Sequence, residues 1–154
     1  MNLDWLYPTS ISVLLIFIGW KVVFNNAKKI ASRNETYAIV NRIITLLGDI
    51  QKLSESFWLQ AQFQEQPQYY DLLTLSKIKL IRAKLQILDN RQVDTNDIQT
   101  LIFPIRKACT FNSYKVASLS ENEKREQIQS ILNATSEFET LLDEKMKTIF
   151  PPNY

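Results

Sequence analysis

Lys77, Lys79, Arg82 and Lys84 crowd one short stretch of the sequence, with Tyr69 and Tyr70 just before it. Cations that neutralise phosphates, beside rings that stack on bases, are the chemistry of nucleotide or nucleic-acid binding. The competing reading is a solvated lysine-rich helix face, the ordinary fate of such charge runs. Cys109 has Arg106 and Lys107 close by. A nucleophilic thiolate also needs a base, and the chain has no histidine to supply one, so Cys109 reads as a buried filler. The missing histidines also remove Ser–His–Asp catalysis and imidazole zinc sites. A single cysteine removes an intrachain disulfide and an all-cysteine zinc site. Gly19 and Gly48 are the only glycines, too few for a glycine-rich phosphate loop. Glu121, Glu123 and Glu126 fit the positive end of a helix dipole. Glu137, Glu139, Asp143 and Glu144 would need a histidine partner or a second glutamate-bearing helix to hold a metal, and neither is visible. The expectation is a non-enzyme with no catalytic residue, cofactor or metal.

The chain that must position these groups has 154 residues, a net charge of +2 and 45% hydrophobic residues. That suits one domain, or an anchor plus a small domain, and excludes global disorder. Residues 5–20 carry no charge. If Lys21 snorkels, an apolar span runs from Trp5 to Phe24, about 30 Å of helix, enough for a bilayer. Trp5, Tyr7, Trp20 and Lys21 then form an interface belt at its two ends. Pro8 fits the first turn. A cleaved signal peptide is disfavoured by Asp4 and by the lack of a basic leader or a small-residue cleavage site. A buried core helix is the other alternative, since the uncharged run is slightly short. Thr9, Ser12, Ile16 and Gly19 lie along one face of the span, where small and hydroxylated residues would let copies associate.

Lys21, Lys28, Lys29 and Arg33 follow the span, and only Asp4 precedes it. The positive-inside rule puts the N-terminus outside and the C-terminal body in the cytoplasm, in the inner membrane of a bacterium. A lone cysteine agrees with a reducing compartment. Two Asn-X-Thr matches, at Asn34 and Asn133, are then incidental. Basic residues outnumber acidic ones in residues 21–91, and the balance reverses after residue 120. Attraction to anionic lipid accounts for the first bias. Pairing of the basic second helix with the acidic last helix of a neighbouring copy is an alternative.

Beyond residue 26 the pattern predicts an all-α cytoplasmic bundle over 27–154. Val40, Ile43, Leu47, Ile50 and Phe57 mark a helix over about 35–59, broken from the span at Asn25-Asn26 or continuous with it. The Gln-rich stretch 60–68 breaks the pattern. Leu73, Ile78, Ile81, Leu85 and Leu88 mark a helix over 69–88. Asp94 or Thr95 should cap a third over 96–111, kinked or split by Pro104. Ser120 and Glu123 form a capping box for a fourth over 121–149, with Ile128, Ile131, Leu132, Thr135, Phe138, Leu142, Met146 and Ile149 as its inward stripe.

The short N-terminus, the single span from Trp5 to Phe24 and the stretch AKKIASRNETYAIVNRIITLLGDI leading into a helical body give an architecture that resembles small membrane proteins of bacterial anti-phage defence. The membrane accessory proteins of Cas13b-type CRISPR systems are the family it looks like. That resemblance implies ring-shaped oligomers that disturb the membrane during infection. It also implies a body similar to a HEPN domain, but the Arg and His motif of those RNases is absent because there is no histidine. The expected function is an oligomeric single-pass membrane effector, pore- or channel-forming. The alternative is a membrane-tethered adaptor whose bundle recruits a protein partner. Lipid bilayer and further copies of the chain are the expected partners. A nucleic acid or nucleotide is a third reading, through Lys77, Lys79, Arg82 and Lys84.

Overall fold

The computed structural model describes residues 6–60 and 63–151, with side chains described from Val13 onward in the first helix. The described residues form five α-helices: α1 (Leu6–Trp58), α2 (Pro67–Asn90), α3 (Asn96–Thr100), α4 (Ile102–Thr110) and α5 (Glu121–Ile149). A 3-10 helix, Ser113–Ser118, joins α4 to α5. No strand occurs among the described residues, so the fold is all-α. Two compact units divide the chain, Met1–Tyr37 and Ala38–Tyr154. Helical backbone passes through Asn25-Asn26 without interruption. Neither residue is a proline or glycine, and their modest helix propensity does not outweigh helix-forming neighbours on both sides.

In the first unit, Thr36 bonds back to the Ser32 carbonyl at 2.9 Å, and the Arg33 guanidinium lies 5.6 Å from the Tyr37 ring centroid. Among the described residues, no helix is long and apolar enough to cross a membrane. Side chains of the expected span are described only over 13–24, about 18 Å of helix, which is shorter than a ~30 Å hydrocarbon core.

The second unit is a four-helix bundle, and its cross-helix bonds fix the direction of each segment. Asp49 pairs with Lys77, and Ser54 meets Tyr70. As α1 advances α2 retreats, so the two are antiparallel. The Tyr70 hydroxyl reaches the Cys109 carbonyl, and Ile78 and Arg82 flank Ile102, so α4 runs antiparallel to α2. Gln127 donates to the Ala108 carbonyl and Lys145 to Asp97, which makes α5 antiparallel to α3 and α4. Gln51 donates to Thr135 at 2.7 Å and closes α5 back on α1. The result is an up-down-up-down bundle, the order that short connections favour.

Buried side chains recur every three or four residues along the helices: Ile43, Leu47 and Ile50; Ile81, Leu85 and Leu88; Ile98, Ile102 and Ile105; Phe138, Leu142 and Met146. Each such residue contributes about 1.5–3 kcal/mol when taken out of water. The helix expected over 96–111 is split at Leu101, which is still αR at φ −75°, ψ −11°. Pro104 has no N–H to give the Thr100 carbonyl. A new helix starting at Ile102 puts it in the first turn, where that N–H would be unpaired anyway. Ser120 caps α5 through the expected box: its hydroxyl accepts from the Glu123 N–H, and the Glu123 carboxylate accepts from the Ser120 N–H at 2.8 Å. Thr95 is the N-cap residue of α3, without a side-chain cap bond. Asp94 takes part of the work, accepting from the Asn96 N–H at 3.1 Å.

Candidate functional site

Two features of the surface lack an internal role, and the first is the N-terminal stretch of α1. Every large apolar side chain from Val13 to Phe24 is 51–69% exposed, on all sides of the helix. A helix that is hydrophobic all round belongs in an apolar surrounding. Ile16 and Gly19 stand three residues apart on one face, and a Cβ added at Gly19 would meet nothing within 4 Å. Trp20 stacks on Phe24 with centroids 5.5 Å apart, beside Lys21. Trp5 lies outside the described residues, as do the side chains of Tyr7, Thr9 and Ser12.

The second feature lies on the seam between α2 and α4. Helical spacing divides the α2 cations into two groups. Lys77 and Lys84, seven residues apart, share one side and are half-buried; Lys79 and Arg82 are exposed on another. Lys77 is engaged with Asp49 at 3.0 Å. Lys79 and Arg82 instead line a depression of about 160 Å³ together with Ile102 and Arg106. Arg106 also lines the adjoining depression of about 420 Å³, with Phe103, Lys107, Phe111 and Tyr114. No carboxylate lines either one. Phe103 and Tyr114 are each 69% exposed, and the Lys115 ammonium sits 5.4 Å from the Tyr114 ring centroid. Among the described residues, Lys79, Arg82, Arg106 and Lys107 make no ion pair with an acidic side chain.

The local backbone explains this geometry. Residues Phe103, Arg106, Lys107 and Thr110 follow three- and four-residue steps, so they share the face of α4 that turns away from Ile102, Ile105 and Cys109. Phe111 ends the helix in extended conformation, φ −66° and ψ 126°. Asn112 then takes the left-handed region at φ 62°, which asparagine tolerates better than most residues. That reversal starts the 3-10 helix and brings Tyr114 back to the rim. Ser113, at the reversal, is buried and donates to the Asp71 carboxylate at 3.0 Å.

The remaining chemistry-bearing groups are internal. Tyr70 is fully buried, so only Tyr69 of that pair is open to a ligand, and its ring already meets Phe63. The Tyr70 hydroxyl lies 2.9 Å from Ser54 Oγ and donates to the Cys109 carbonyl at 3.1 Å. Burial pushes the Cys109 thiol up to about 12, far from a reactive thiolate. Burial also raises the Tyr70 hydroxyl well above its ordinary value. Asp71 is raised by burial, against the lowering effect of its Ser113 bond. No group of histidine, cysteine or acidic residues among the described ones could hold a metal ion.

Sequence reading centred the basic site on α2 and missed the aromatic contribution of α4. Its signal is present as FPIRKACTFNSYK, in which rings and cations alternate off the apolar stripe. Comparison of the chain with family models, curated proteins and solved structures gives no match.

Proposed function

We propose that this chain is a single-pass membrane protein whose cytoplasmic four-helix bundle recruits a ligand through the α2–α4 seam. The observation that carries the anchor is the all-round exposure of apolar side chains over residues 13–24. Together with the uncharged residues 5–12 they make a span of about 30 Å, the thickness of a hydrocarbon core. Lys21 near one end reaches the interface by snorkelling. The cations after the span favour the cytoplasmic side for the bundle. The reading assigns no catalytic step: the bundle offers a binding surface, and its one thiol is buried.

A second reading is a homo-oligomeric effector that disturbs the membrane in bacterial anti-phage defence. The open space at Gly19, on the Ile16 face, favours it, because helices approach closely where a side chain is missing. The two readings part on one experiment. The mass of the detergent-extracted full-length protein, corrected for detergent, is a monomer or dimer for a tethered recruiter. A ring of about five or more copies, lost in Gly19→Leu, is the effector's result.

A further inference from the structure

We propose that the α2–α4 seam binds single-stranded nucleic acid, with Arg82 and Arg106 on phosphates and Phe103 and Tyr114 as stacking platforms. The inference names the ligand of the recruiting surface described above, but the binding itself does not depend on the membrane anchor. Three observations carry it. The cations are free to act, since Lys79, Arg82, Arg106 and Lys107 have no acidic partner among the described residues. Their surroundings carry no carboxylate that would repel a phosphate. The rings are open: Phe103 and Tyr114 expose most of their surface, and the core of the bundle closes without them.

Phosphate alone would account for the cations, and an apolar partner alone for the rings. A chain of phosphates bearing planar bases satisfies both at once, because every base presents a face that stacks on an aromatic ring. The shape agrees. A concavity of about 420 Å³ lies within the ~300–1,000 Å³ range of sites that receive a small group such as one nucleotide. The smaller depression beside it shares Arg106 and holds Lys79 and Arg82, so a strand leaving the first would meet further cations. A bilayer surface is flat over this distance and would reach the rim of such a concavity rather than its floor. An acidic helix of a partner protein would pair with the cations and leave the rings to water.

The test uses the full-length protein in nanodiscs of phosphatidylcholine, which presents no net anionic charge. The probe is a short fluorescein-labelled oligouridylate, followed by anisotropy across a salt series. Binding is expected, with log K falling linearly with log salt at about 0.7 per phosphate contacted. Arg82→Gln with Arg106→Gln should weaken it about tenfold and flatten the salt slope. Phe103→Ser or Tyr114→Ser should weaken it about fivefold or more with the slope unchanged. Lys52→Gln, a cation of α1 away from the seam, should leave it as it was. Unchanged thermal melting of each variant secures the comparison. No binding overturns the proposal, and so does binding indifferent to both kinds of substitution. Transfer of the same arginine dependence to nanodiscs containing phosphatidylglycerol, with none to the oligonucleotide, overturns it in favour of a lipid surface. Failure of the protein to insert into nanodiscs removes the anchor alone, since the same titration then runs in plain buffer.

Discussion

The rings of Phe57 and Tyr70 lie 3.9 Å apart and within 2° of parallel, joining the last turn of α1 to the first turns of α2. Trp58 meets the Phe57 ring edge-on at 5.1 Å. The turn between α1 and α2 is Gln-rich, and Gln64 ties it back by donating to the Phe57 carbonyl at 2.8 Å. The stack and the Tyr70 hydroxyl bonds to Ser54 and Cys109 hold the two helices together at this end. Tyr70→Phe keeps the stack and leaves Ser54 and the Cys109 carbonyl without that partner. It should cost about 1–3 kcal/mol, and Tyr70→Ala about 3–5 kcal/mol. Denaturant midpoints at constant slope measure both.

Alkaline pH should loosen the bundle. Cys109 ionises near 9.0 when unfolded and near 12 when folded. Between those values the unfolded chain has lost a proton that the folded chain keeps, so stability falls as pH rises. It is fully present below pH 9. The slope is at most about 1.4 kcal/mol per pH unit for each such group. Tyr70, raised by burial, adds to the same fall above its ordinary value. Chemical denaturation across this window checks the sign. Stability that climbed with pH there would contradict the burial of both groups.

The α5 cap has a separate signature. Ser120→Ala removes the acceptor of the Glu123 N–H and should cost about 1 kcal/mol. The bonds from Ser120 hold the Glu123 carboxyl below its ordinary range. A lowered value stabilises the fold above the unfolded pKa, and that contribution disappears as pH falls through the folded one. The acid side of the stability profile should therefore flatten in Ser120→Ala.

Phe103 and Ile105 separate binding from packing. Ile105 is buried, and Ile105→Ala should cost about 2–5 kcal/mol. Phe103 is exposed on the opposite face, and Phe103→Ser should change stability by no more than about 0.5 kcal/mol. A large loss at Phe103 would return that ring to the core and remove a reason for the open seam.

The helices were legible because the core obeys one period. Val40, Ile43, Leu47 and Ile50, and then Ile131, Thr135, Phe138 and Leu142, are all buried, as their spacing implies. The Ser120 box set the start of α5 at Glu121. The α2 cations were visible, but their division by Asp49 was not. That depends on which side of α2 faces α1, a tertiary fact. The same holds for Tyr70: two adjacent tyrosines look equivalent in sequence, and only the bundle puts one inside and one outside. The short 3-10 helix after Asn112 escaped because its start rests on one left-handed residue rather than on periodicity. The face of the seam was spelled out in FPIRKACTFNSYK, yet off-stripe rings on a helix acquire meaning only once the core is seen to close without them.

Spin labels placed one at a time along residues 13–24 of the reconstituted protein test the proposed membrane span over residues 5–24 most directly. Buried Cys109, with its thiol near 12, stays unlabelled in the folded chain, so each new cysteine reports alone. Labels at Val13, Ile16, Phe17 and Val23 of a membrane span should be relaxed by dissolved oxygen and shielded from a water-soluble nickel chelate. The shielding should be deepest mid-span and decline toward Phe24. Strong relaxation by the chelate at every position would put the segment in water and rule out a membrane span.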